Sequence, residues 1–220
     1  MSLQNDFILY SYFRSSASYR VRIGLNLKDI PYEYRAVHLI NNGGEQLKPE
    51  YKKMNPSGDV PTLIHKGFAL GQSIAILDYL DNINPSPRLF PENAQQRALV
   101  LQACEIVNSG VQPLHNLRVL KKIQKDFNVG EAETNRWATE WITYGLDTLE
   151  SFLEKHAGRF SFGDQVSAAD CYVMPHLANA DRYSVSLEKY PTLQRIRATC
   201  NAIPAFAKAA PAQQPDAPPA

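Results

Sequence analysis

Cysteine is scarce in this chain, and the three present, Cys104, Cys171 and Cys200, are odd in number and far apart. Their spacing fits neither a disulfide framework nor a thiolate metal site, so no metal is expected. An excess of one charge is also missing: 23 Lys and Arg stand against 22 Asp and Glu, for a net charge of +1. Bulk charge therefore excludes a nucleic-acid binder or a protein held to an anionic membrane surface. Any positive potential has to be local. No run approaches ~18 continuous apolar residues, which excludes a membrane-spanning helix. Residues 1–6 lack the cationic and apolar stretches of a secretory signal. These absences together predict a soluble protein of a reducing, cytoplasmic compartment. No internal repeat is visible either.

What is present suffices for a real core: 44% of the 220 residues are hydrophobic and 20% are charged. That length accommodates one large domain or two small ones. Residues 7–13 are short, apolar and aromatic, which predicts a buried strand. Apolar positions Val21, Ile23, Leu25 and Leu27 then predict a first helix, with imperfect periodicity. Between them stand Arg14, Ser15, Ser16, Ala17, Ser18, Tyr19, Arg20 and Arg22, a hydroxyl-rich turn among arginines. Serines that open a helix sit beside its N-terminal N–H groups, where the helix dipole favours negative charge. An anion site and a simple N-cap beside a solvated arginine face both fit these residues.

Residues 32–38 alternate aromatic, small and charged side chains, as a second strand would. Asn41-Asn42-Gly43-Gly44 breaks the chain into a loop. Residues 55–73 read as loop, strand, tight turn at Lys66-Gly67, and strand. A helix opens at Ser73, carries Ile74, Ile76, Leu77, Leu80 and Ile83, and stops before Pro85. The first 84 residues thus form an α/β module. A proline-rich linker follows over 85–92. Residues 93–210 carry long helical patterns, at 94–126 and 131–156, with Trp137, Trp141, Leu146, Leu149 and Phe152 as core, and predict an all-α domain. Ser167 and Asp170 form a capping box at the start of a further helix, a scaffold element. The Pro- and Ala-rich residues 211–220 are expected to be a mobile tail.

In order along the chain, residues 9–16, residues 112–117 and Gln214-Pro215-Asp216 resemble the glutathione transferase family, most closely its zeta class. The resemblance covers nearly the whole chain. It implies a thioredoxin-like N-terminal domain followed by a glutathione-transferase C-terminal helical bundle, and a homodimer. Val60-Pro61 is similar to the family's cis-proline turn, where the backbone before the proline pairs with an extended peptide. Gln72-Ser73 matches the pair that binds the γ-glutamyl carboxylate at a helix N-terminus. Gln46 matches a position facing the glycine end, whereas His38 fits better as a strand-end residue. By the same resemblance Ser15, Ser16, Ser18, Arg20, Gln112, Asn116 and Arg118 join the set that binds glutathione.

Ser15 is the residue assigned to activate the thiol, ahead of Ser16 and then Tyr12. A thiol with a pKa of about 8.5 is only ~3% thiolate at pH 7. A donated hydroxyl hydrogen bond and a helix N-terminus, lowering that by about two units, raise the share to ~75%. The resemblance implies a glutathione-dependent isomerase that turns the cis double bond of maleylacetoacetate, in tyrosine and phenylalanine breakdown, into the trans bond of fumarylacetoacetate. Arg14 and Arg182 are the expected carboxylate holders, with Arg118 less secure. Maleylpyruvate is the alternative substrate, and a non-catalytic binding module of the same superfamily the alternative class. One departure stands out: Ala17 occupies the place of the zeta-class cysteine. With no thiol on the protein there, mixed-disulfide chemistry is not expected.

Overall fold

The first folded unit builds outward from strand β1 (Phe7–Ser11), a continuous apolar run whose burial alternates. Phe7, Leu9 and Ser11 are buried on one side of it, with Ile8 and Tyr10 on the other. The computed structural model describes residues 6–219. Residues up to Leu89 together with those from Asn201 onward cluster as one unit, and Phe90–Cys200 as a second.

In the first unit β1 lies between β2 (Glu33–Ala36), which runs parallel to it, and the antiparallel pair β3 (Thr62–His65) and β4 (Phe68–Gly71). The order β2-β1-β3-β4 is that of a thioredoxin-like sheet. Helix α1 (Ser16–Leu27) supplies Val21 and Leu25, and α3 (Ser73–Ile83) supplies Ile76 and Leu80. These i, i+4 pairs close over Phe7, Leu9, Ile30 and Leu63. On the opposite face Tyr51, from the short α2 (Pro49–Met54), packs with Tyr12, Val37 and Val60. The expected turn at Lys66-Gly67 is left-handed at both residues, with φ of 51° and 83°, as a two-residue hairpin requires.

The second unit is helical: α4 (Ala94–Asn108), α5 (Leu117–Phe127), α6 (Glu131–Leu153), α7 (Ala168–Arg182) and nearly all of α8 (Pro191–Asn201). The helical pattern over 94–126 is split, because Ser109, Gly110 and Pro113 replace a continuous helix with a turn and the 3-10 segment Gln112–His115. Trp137 is not core: it is 37% exposed, and its indole N–H donates to the Leu114 carbonyl at 2.8 Å. Leu146 and Leu149 are core as expected, with Ala138, Ile142 and Leu153 completing the buried stripe of α6, while Trp141 and Phe152 are half-buried and Trp137 flanks the stripe. Ser167 and Asp170 do form the expected capping box, and Asp170 also accepts from the Ser161 N–H at 2.8 Å. Burial pushes its carboxyl above the usual range despite those bonds. No helix among the described residues is long and apolar enough to cross a membrane.

Two sequence boundaries move. The segment from Asn201 groups with the α/β unit rather than with the helices before it. Its helix α9 (Pro204–Ala209) is tied to α1 by Asn26, which donates to the Ala205 carbonyl, and by Arg22, which donates to that of Ala209. The expected mobile tail is packed as well. Gln214 is 8% exposed and Asp216 accepts two hydrogen bonds from the α/β unit. Its prolines and alanines read as disorder, but Gln214 and Asp216 supply specific anchors. Residue 220 lies outside the described residues.

Candidate active site

Strand register alone gathers the predicted site residues of the first unit at one end of the sheet. Ser11 is paired with Ala36, so β1 and β2 end together. Tyr10 faces Thr62 and Thr62 faces Gly71, so β3 begins and β4 ends at that same edge. Across it stand, in sheet order, the loop after β2 with Gln46, the loop after β1 with Arg14, Ser15 and Ser16, the Val60-Pro61 approach to β3, and Gln72-Ser73 after β4. Four strands spaced at ~4.8 Å set these segments across roughly 14 Å. An extended peptide of about four residues spans that distance.

Each position presents polar groups of its own at that edge. Ser15 is the N-cap of α1, and its hydroxyl oxygen accepts from the Ser18 N–H at 3.2 Å. The hydroxyl proton has no acceptor among the described residues, so it is available to an anion beside the helix N-terminus. Val60-Pro61 is cis, as expected, and Val60 makes no main-chain hydrogen bond to the described residues. Its peptide groups remain open to an added strand. Gln72 holds a φ of 67° immediately before α3, a conformation that costs an L-residue ~1–3 kcal/mol. Its side chain does not cap the helix it precedes. Ser73 is buried at the first position of α3, and its hydroxyl accepts from Arg20 Nη1 at 3.0 Å. Neither α1 nor α3 has an acidic residue in its first turn, so no carboxylate repels an anion there.

Several candidates serve from behind the surface. Ser18 is fully buried and holds Ser15 through its N–H. Arg20 is 1% exposed and holds Ser73. Arg22 does not belong to an exposed arginine face at all. Burial lowers its pKa, and its guanidinium donates to Ser11 Oγ and to the carbonyls of Tyr12, Phe13 and Ala209. It braces the loop that leads into Ser15. The local cation left at the edge is Arg14, half-buried, with its guanidinium 5.9 Å from the Tyr12 ring centre. Gln46 donates weakly to the Leu39 carbonyl at 3.4 Å. His38 is a loop residue rather than the expected strand end, because β2 stops at Ala36, and its Nδ1 accepts from the Ile40 and Asn41 N–H groups.

Gln112, Asn116, Arg118 and Arg182 belong to the second unit. Gln112 opens the 3-10 segment, and Asn116 caps α5 by accepting from the Arg118 N–H at 3.2 Å. Arg182 is exposed at the end of α7, its guanidinium 5.1 Å from the Tyr183 ring centre. The neighbouring Asp181 is engaged by both terminal nitrogens of Arg197, at 2.9 and 2.6 Å. All three cysteines are buried and none is in a disulfide. Burial also pushes the Cys200 thiol far above its ordinary range, which leaves it inert.

Sequence reasoning missed three supports. Asn55 donates to the Asp59 carbonyl at 2.9 Å and to Thr62 Oγ1 at 3.0 Å, and Tyr51 donates to the same carbonyl at 2.8 Å. Together they brace the Val60-Pro61 turn. Burial pushes the Tyr51 hydroxyl up to about 12, so it stays a donor. Asp216 is the third. The Asn-Pro-Ser-Gly turn at 55–58 was a usable signal for the first; Gln214-Pro215-Asp216 stood out as a motif, but nothing in it named Phe13 or Tyr34 as partners.

The glutathione S-transferase N-terminal domain model matches residues 9–88, and the C-terminal domain model of the same family matches residues 117–209. Maleylacetoacetate isomerase of Rattus norvegicus is 45% identical over 211 residues, covering 96% of this chain and 95% of that one. A bacterial zeta-class maleyl pyruvate isomerase in its holo structure superposes with a TM-score of 0.92 at 41% identity, over 96% of this chain and 100% of that one. The maleylacetoacetate isomerase of Anaeromyxobacter dehalogenans with bound GSH gives a TM-score of 0.86 at 44% identity, over 96% and 98%. A thioredoxin-like sheet edge built for a short anionic peptide, a helical second unit and relatives matched end to end lead to one assignment: the chain belongs to the glutathione S-transferase family, in its zeta class.

Proposed function

We propose that this chain is a glutathione-dependent cis–trans isomerase acting on maleylacetoacetate, working as a cytoplasmic homodimer. The observation that carries the reading is the Ser15 hydroxyl, an N-cap whose proton is left over at the sheet edge. Glutathione, when bound, would supply a thiolate nucleophile for reversible addition to the cis double bond and would be returned unchanged. The residues present fit it. The Val60 peptide groups pair with its backbone. Gln72, Ser73 and the start of α3 hold its γ-glutamyl carboxylate, and Gln46 faces its glycine end. Ser15 donates to the sulfur and keeps it ionised, with Ser16 beside it on the same turn. Arg14 and Arg182 hold the carboxylates of the dianionic substrate and offset the charge that develops on its carbonyl oxygen.

Maleylpyruvate is the second reading, favoured by exposed Arg118, an extra cation for a ketoacid carboxylate. The test is a spectrophotometric assay of the purified protein with each maleyl substrate, with and without glutathione. Turnover only with glutathione, and faster on maleylacetoacetate, is the expected result. Faster turnover of maleylpyruvate would select the second reading, and none on either substrate would leave a binding module.

A further inference from the structure

The loop between β1 and α1 carries Ser15 yet belongs to neither element, so something outside both has to set its shape. Phe13 is pinned at both of its peptide groups. Its N–H donates to Asp216 Oδ2 at 3.0 Å, and its carbonyl accepts from Arg22 Nη2 at 3.0 Å. The Tyr12 carbonyl, which also accepts the Ser15 N–H at 3.0 Å, is held by Arg22 Nη1 at 3.3 Å. The second oxygen of Asp216 accepts from the Tyr34 hydroxyl of β2 at 2.6 Å. Burial, together with that bond, holds Tyr34 well above the usual tyrosine range, so it remains a donor. The segment reaching Asp216 is itself anchored. Arg22 Nε donates to the Ala209 carbonyl at 2.9 Å, and Gln214 Nε2 donates to the carbonyls of Lys208 and Ala210 at 3.0 and 2.8 Å.

We propose that Asp216 is a positioning residue for the reaction: the returning C-terminal segment uses its carboxylate to fix the loop that aims the Ser15 hydroxyl. The carboxylate ties β2, through Tyr34, to the main chain of the loop two residues before Ser15. A charged acceptor suits the task, because it takes two donors at once with stronger bonds than a neutral group gives. Without it the Phe13 N–H turns to water, the loop gains alternatives, and the Ser15 proton no longer points steadily at the sulfur. The effect falls on the thiolate, not on the affinity for the peptide.

This rests on the assignment of Ser15 above, and the experiment separates the two. Asp216→Ala, Asp216→Asn, Tyr34→Phe and Ser15→Ala are made in the full chain. The ultraviolet thiolate absorbance of bound glutathione is titrated against pH, alongside glutathione affinity, turnover and Tm. In Asp216→Ala the thiolate midpoint is expected to rise by about one pH unit and kcat to fall about 10-fold, with glutathione affinity within about threefold. Asp216→Asn keeps one acceptor and is expected to recover part of both, while Tyr34→Phe gives a smaller rise. A lowered Tm with an unmoved thiolate midpoint in the Asp216 variants would make the contact a structural tie only and overturn the proposal. If Asp216→Ala does not fold, Asp216→Asn and Tyr34→Phe decide by the same midpoint. An unmoved midpoint in Ser15→Ala overturns the Ser15 assignment itself, and the proposal with it. Movement in Ser15→Ala but in neither Asp216 variant overturns the proposal alone.

Discussion

A hydroxyl acts on a neighbouring thiol only if its oxygen is held and its proton is spare, and Ser15 meets both conditions. The Ser18 N–H fixes the oxygen at 3.2 Å. Removing the hydroxyl forfeits a stabilisation worth roughly 2.7 kcal/mol if the thiol pKa moves by about two units toward its free value. Ser15→Ala is therefore expected to lose most turnover while glutathione affinity, measured calorimetrically, stays within a few-fold. Full turnover in Ser15→Ala with loss in Ser16→Ala would transfer the role to Ser16. Ser73 is a different case, because its oxygen accepts from Arg20, which is 1% exposed. Ser73→Ala is expected to weaken glutathione binding and also to cost about 1–3 kcal/mol of stability in chemical denaturation, since a buried guanidinium loses an acceptor.

Among the elements, the join between α1, α3 and the proline-rich segment depends on one buried ion. Lys28 Nζ, closing α1, donates to Asp81 of α3 at 2.8 Å and to the carbonyls of Asn84 and Pro87 at 2.6 and 2.8 Å. Three N–H donors meet three acceptors, and Asp81 also accepts from the Leu89 N–H at 2.7 Å. The stiffness that prolines suggested for residues 85–92 is thus reinforced by an anchor at its start. Breaking the pair from one side leaves a buried charge and costs about 3–5 kcal/mol. Lys28→Met and Asp81→Leu are each expected to lose that much in urea unfolding. The double variant loses less than the sum of the two, because it leaves neither charge alone. Additive losses would show that the carbonyls, not Asp81, account for the cost.

For the whole molecule, a net charge of +1 leaves a dianionic substrate little general attraction, so affinity has to come from a few placed cations. A charge-assisted contact contributes about 1.5–3 kcal/mol. Arg182→Ala is accordingly expected to lower kcat/KM by roughly 10- to 100-fold, with glutathione binding near normal. Unchanged kinetics would place the substrate against other side chains. The proposed homodimer would cover large apolar side chains left at the surface, among them Phe68 and Ile83 of the first unit and Phe127 and Tyr144 of the second. Light scattering at micromolar concentration is expected to give twice the chain mass. A monomeric mass would remove the dimer.

The sequence by itself determined the parts whose cause is local. A short apolar and aromatic run made β1, apolar spacing made α1 and α3, Lys66-Gly67 made the hairpin, and Ser167 with Asp170 made a cap, because each depends on neighbours within about one turn. The hydroxyl-rich turn at Ser15 and the Val60-Pro61 and Gln72-Ser73 motifs were legible for the same reason. Only the tertiary structure decided what depends on distant partners. Strand register brought four separated segments to one sheet edge, though none of them reveals the others. Burial set Arg22 behind the surface as a brace for the loop rather than on an exposed arginine face, since a guanidinium's neighbours, not its place in the chain, determine what it binds. The tail was misread for want of partners: Asp216 meets Phe13 and Tyr34 across about two hundred residues of sequence, and composition carries no information about such a meeting.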